Sequence, residues 1–135
     1  MNQPALYLWE RSLQAFKTAQ RDLWHDPDAS ASRSYYAAFY AVSALFSLEN
    51  KTFSRHSALE VAVHRDLIKA GKWPQKLGAD YSYLLQLRGT GDYGGGAHVS
   101  REESMEALNA SNRIIKAVHQ TSPDLFTLPD DFQNS

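Results

Sequence analysis

Arg88, Asp92 and Tyr93 are the residues whose types and spacing best suit chemistry. Leu77, Tyr81 and Leu84 are spaced four and three apart, and Arg88 is the next position on that stripe. A guanidinium on an apolar face is costly to bury without a partner. Asp92 lies four residues on and can supply one, and Tyr93 can cover the pair or bond to it. A cation held this way is a natural site for an anion. The competing reading is structural: a cation in the last helical turn favours the helix dipole and can bond the final carbonyls. Spacing leaves both open.

Five histidines offer proton transfer, at positions 25, 56, 64, 98 and 119. An unperturbed imidazole titrates near neutral pH. None of them falls in an HExxH or similar metal-binding pattern. Cysteine is absent, which removes disulfide frameworks and thiolate zinc sites. No metal and no cofactor is expected. The stretch from Gly89 to Val99 is rich in glycine, but no Lys-Ser or Lys-Thr follows it, so it is not a P-loop.

The elements that must position these residues are helical. Stripes at helical spacing predict helices over Pro4–His25, Ala29–Glu49, Ser54–Ala70 and Pro74–Arg88, and one from Ser100 to just before Ser122-Pro123. Asp28 or Ser30 is expected to cap the second, with Asn50 as its stop. Gly71 follows the third. Ser100-Arg101-Glu102-Glu103 reads as a capping box. The second helix packs four aromatics and three alanines into the nine residues Arg33–Ala41. A helix apolar nearly all round is the central one of a bundle. Arg33 opens that helix, where the dipole disfavours a cation, and Asp28 is its expected partner. Trp9, Trp24 and Trp73 are expected core or interface anchors. Residues 1–121 form the expected domain, and residues 122–135 an extended tail that can dock a few apolar side chains.

The chain has 135 residues and a net charge of −1. Near-neutral charge argues against indiscriminate nucleic-acid binding. A local basic stretch remains in Lys51, Arg55, His56, His64 and Arg65. No early apolar run resembles a signal segment, and none approaches the ~18 residues of a membrane span. The expectation is a cytoplasmic protein without membrane contact.

Three motifs together carry a family resemblance. They are Arg33-x-Tyr35-Tyr36-Ala37-x-Phe39, then Ser54-Arg55-His56-Ser57, then Leu87-Arg88-x-x-x-Asp92-Tyr93-Gly94. In order and separation the chain resembles the HEPN family (higher eukaryotes and prokaryotes nucleotide-binding), from about Tyr7 to Val118. The resemblance implies an all-α, up-and-down bundle, here of about five helices, that commonly forms two-fold dimers. It also implies metal-independent ribonuclease activity in many members. Those members act as toxins beside a small nucleotidyltransferase-like antitoxin, or in phage defence, whereas others have no nuclease activity.

The family's catalytic signature is an arginine followed roughly four to six residues later by a histidine. Arg88 matches the arginine. The first histidine after it is His98, with nine residues intervening, and Asp92 and Tyr93 stand where a histidine is expected. The resemblance therefore points to Arg88 with His98 or His56 as the catalytic set. Asp92, Tyr93, Arg33, Tyr36 and Arg55 are the expected RNA-binding residues. The alternative is a non-catalytic dimer that binds protein or nucleotide.

Overall fold

A computed structural model describes residues 2–133. The chain forms α1 (Gln3–Asp22), α2 (Pro27–Ser47), α3 (His56–Ala62), α4 (Gln75–Tyr93), α5 (Arg101–Thr121) and a short α6 (Asp130–Gln133). A π-helical stretch, Val63–Ile68, continues α3 directly. No strand occurs among the described residues. The helices form an all-α bundle, as the sequence predicts.

α2 is the centre of the bundle and packs against α1, α4 and α5. Its alanines 31, 37, 38, 41 and 44 are inaccessible to solvent, so neighbouring helices approach closely. Tyr35, Val42 and Phe46 fill the gaps beside them. Removing such side chains from water is the main favourable term, at ~25 cal/mol per Å² of apolar surface.

Local signals explain most helix ends. Asp26, rather than Asp28 or Ser30, caps α2 by accepting from Ala29 N at 3.1 Å. The reason is Pro27: it occupies the first turn, so the cap lies just before it. Asn50 ends this region in the left-handed conformation, at φ 61°. The capping box of α5 is complete, with Ser100 and Glu103 each accepting the other's backbone N–H.

Two segments differ from expectation. α4 does not stop at Arg88 but runs through Gly89, Thr90, Gly91 and Asp92 to Tyr93. Each glycine costs a helix interior about 1 kcal/mol. The Arg88–Asp92 pair, one turn apart, works against that cost. So does close packing, since a Cβ on Gly91 would sit 3.0 Å from the Asp28 carbonyl oxygen. The second is the tail, which docks its apolar side chains as expected but is not wholly extended, since it forms α6 and folds back onto α1. Phe126 and Phe132 are buried in the core, in tilted ring contacts with Trp9 and Phe16 at 5.1 and 4.7 Å. The Trp9 indole N–H donates to the Thr127 carbonyl at 2.7 Å.

Trp9 and Trp73 are buried anchors, but Trp24 is 60% exposed. It lies beyond the last turn of α1, where the Arg101 guanidinium stacks on it at 4.9 Å.

Candidate functional site

Arg88 ends the buried stripe of α4 formed by Leu77, Tyr81 and Leu84, and its own side chain is only 13% exposed. The fold compensates this charge with oxygens and rings. Nη2 donates to the Tyr36 hydroxyl and to the Tyr93 hydroxyl, each at 3.2 Å. Nε lies 3.2 Å from Asp92 Oδ2 but is not aligned as a hydrogen bond. The guanidinium carbon sits 5.3–5.7 Å from the ring centres of Tyr35, Tyr36 and Tyr93. Burial works against the Arg88 charge, but Tyr36, Tyr93 and Asp92 outweigh it and hold the guanidinium pKa above its ordinary value. Asp92 also accepts from Ser32 Oγ on α2 at 3.5 Å.

His56 opens α3 against the same aromatic cluster. Its Nδ1 lies 2.7 Å from the Tyr35 hydroxyl, and its ring rests on Tyr36 and Phe39. Burial, and then the Arg88 charge, push the His56 pKa below its ordinary value, so the ring is neutral at neutral pH. Burial pushes the Tyr35 phenol up to about 12, which keeps its proton in place. The Tyr81 hydroxyl lies a further 3.5 Å along the same chain of oxygens. Arg88 and His56 thus meet at the Tyr35–Tyr36 pair of α2, although they come from different helices.

The other expected site residues fall into two groups. Tyr36, Asp92 and Tyr93 touch Arg88 directly. Arg33 joins through Tyr36, with its guanidinium 4.8 Å from that ring. Its partner is therefore a ring and not Asp28. Arg55 is exposed at the start of α3, beside His56 in the chain. His98 does not turn onto Arg88. Its Nδ1 is bound to Asp28 Oδ2 at 2.8 Å, while Asp28 Oδ1 accepts from Val99 N at 2.7 Å. The Val99 amide, with a smaller contribution from His98, holds the Asp28 carboxyl below its ordinary range. Asp28 thereby fastens the glycine-rich connection to the start of α2, and this role diverts the histidine.

The sequence offers Tyr35 only as part of the aromatic motif of the second helix, and Asp28 only as a cap or an arginine partner. A fully buried tyrosine needs a partner for its hydroxyl. That need was the available signal for Tyr35.

A second polar network lies along the π-helical stretch. His64 Nε2 is 2.9 Å from Ser82 Oγ, and Ser82 donates to Glu60 Oε2 at 2.7 Å. The serine proton is committed to the carboxylate, so His64 is not positioned to remove it. Among the described residues, no group of three or more His, Asp or Glu is placed to hold a metal ion. No helix there is long and apolar enough to cross a membrane.

Comparison with known proteins agrees with this architecture. A family model described as the HEPN domain matches residues 5–121. A UPF0332 protein of Thermotoga maritima is 33% identical over 97 residues, covering 72% of this chain and 74% of that protein. A UPF0332 protein of Gloeobacter violaceus is 32% identical over 108 residues, covering 79% of this chain and 84% of that protein. With the helical order, the central aromatic helix and the arginine closing α4 in place, the chain belongs to the HEPN domain family.

Proposed function

We propose that this protein is an RNA-cleaving component of a toxin–antitoxin or phage-defence system, acting without a metal as a two-fold homodimer. The observation that carries this reading is the convergence of Arg88 and a neutral His56 on Tyr35 and Tyr36. Metal-free cleavage of RNA needs a base for the ribose 2′-hydroxyl, an acid for the leaving 5′-oxygen and a cation for the phosphorane charge.

Arg88 supplies the cation. Its stacked, hydrogen-bonded guanidinium is fixed in advance, so little reorganisation is needed as charge develops. His56 supplies proton transfer. For Nε2 to accept the 2′-hydroxyl proton, Nδ1–H must donate to the Tyr35 oxygen, and the Tyr35 hydroxyl then points to Tyr81. The 2′-oxygen attacks phosphorus, the bond to the 5′-oxygen breaks, and an imidazolium returns a proton to that oxygen. The products are a 2′,3′-cyclic phosphate and a 5′-hydroxyl. A nucleotidyltransferase-like antitoxin is the proposed protein partner.

The test is cleavage of RNA in EDTA by purified wild type, Arg88→Ala and His56→Gln, with product ends identified. Cleavage by wild type alone, leaving cyclic phosphate, is expected. Equal cleavage by all three would remove both residues from the reaction.

A second reading is a non-catalytic interaction module. It is favoured by the carboxylates near Asp92, the ion-pair partner of Arg88: Asp26, Asp28 and Asp92 line an open hollow of ≈ 490 Å³ with Gly91 and Tyr93. Those carboxylates oppose a polyanion, and His98 is already engaged by Asp28. A folded wild-type dimer that leaves RNA intact would favour it.

A further inference from the structure

Arginine and tyrosine continue beyond Arg88 across the surface of α2 and α1. Tyr36 and Tyr40 are one turn apart on α2, with ring centres 6.0 Å apart. Arg33 stacks on Tyr36 at 4.8 Å. On α1, the Arg11 guanidinium stacks on Tyr40 at 4.7 Å and on Tyr7 at 5.8 Å. It also donates to both hydroxyls, at 2.9 Å for Tyr40 and 3.1 Å for Tyr7. The path Tyr93–Arg88–Tyr36–Tyr40–Arg11–Tyr7 is therefore unbroken, with Arg33 beside it. Its far end borders an open groove of ≈ 470 Å³, whose polar walls include Gln14, Thr18 and Arg33.

Two observations separate this surface from ordinary decoration. Three arginines stack on tyrosines along one path. Moreover, Arg88 has Asp92, but no Asp or Glu lies within ion-pair distance of Arg11 or Arg33 among the described residues. Glu10 is the one carboxylate lining the groove.

We infer that the α1–α2 groove is a second binding subsite, in which Arg11 and Arg33 hold backbone phosphates of single-stranded RNA and the exposed Tyr7 stacks a base. The inference rests on the RNA reading of the Arg88 centre and extends it. A single strand is the form that fits, because its unstacked bases can lie on aromatic rings without sequence preference. A guanidinium already held flat on a ring keeps edge N–H groups for phosphate. The groove would thus position a strand whose scissile phosphate lies at Arg88.

The test is binding of a fluorescein-labelled 12-nucleotide 2′-O-methyl oligouridine, which lacks the attacking hydroxyl and cannot be cleaved. Fluorescence anisotropy is read across a salt series, with light scattering for mass. Arg11→Ala and Tyr7→Ala change exposed side chains, so the fold is retained. Each is expected to weaken binding at least about tenfold. Arg11→Ala also lowers the slope of log K against log salt by ~0.7, the value for one lost phosphate contact on a single strand. Lys116→Ala, with the same charge change on α5, is expected to bind as wild type. If Arg11→Ala and Tyr7→Ala bind as wild type while Arg88→Ala does not, the groove is overturned and the RNA reading stands. If wild type itself does not bind, both fall. If the groove variants change the dimer mass, the surface is an interface between copies and the proposal is wrong.

Discussion

The Tyr35 hydroxyl lies 2.7 Å from Nδ1 of His56. This bond joins the middle of α2 to the first residue of α3, and it fixes the imidazole beside Arg88. A phenol whose pKa is raised to about 12 holds its proton throughout the range in which His56 titrates. Tyr35 therefore orients the ring without competing for charge. A carboxylate in its place would instead favour the imidazolium.

His56 makes stability depend on pH. Its folded pKa lies below its ordinary value near 6.5. Between those two values the unfolded chain binds more protons, so stability rises with pH across that window. The full stability is present above about pH 6.5 and falls as pH drops toward the folded pKa. Thermal melts at pH 5.5 and 7.5 should show a larger drop for wild type than for His56→Gln. Equal drops would mean that His56 is not shifted.

Arg88→Ala tests the structural share of the site. The Asp92 side chain is 29% exposed and can regain water when its partner is lost. The loss is then a partly exposed ion pair plus ring stacking, about 1–2 kcal/mol, and not the 3–5 kcal/mol of a fully buried pair. Urea unfolding measures this directly. A loss near 4 kcal/mol would make Arg88 chiefly a structural residue.

Asp28→Ala should free the connection that His98 and Val99 tie to α2. The Val99 amide bond to an ionised carboxylate is worth about 1.5–3 kcal/mol. Its main effect is expected as faster amide exchange across residues 94–99, with α1 and α5 protected as in wild type. In wild type, the depressed Asp28 pKa makes this stabilisation present above about pH 4 and lost as pH falls through the folded value. Unchanged exchange in Asp28→Ala would show that the loop is held by other means.

Phe126→Ala should cost about 3–5 kcal/mol, because the ring is fully buried against Trp9. A chain ending at Thr121 loses Phe126, Phe132 and the Thr127 acceptor of the Trp9 indole together. It should melt well below wild type by circular dichroism. Equal melting would show that residues 1–121 form a self-sufficient domain.

The sequence by itself determined what depends on residues a few positions apart. Helical period placed the helices and set Arg88 at the end of an apolar stripe, with Asp92 one turn beyond. The Ser100–Glu103 box and the Asn50 stop are equally local. The central place of α2 was legible too, since its apolar surface all round leaves it nowhere else to go. The continuation of α4 to Tyr93 was not, because glycine propensity opposes it and packing against Asp28 offsets that cost. Only the tertiary structure decided the bond of His98 to Asp28, the approach of His56 to Tyr35 and Arg88, and the docking of Phe126. Those pairings join residues far apart in the chain, and their geometry follows from how neighbouring helices cross. Periodicity says which face is buried, but not which residue of another helix it meets.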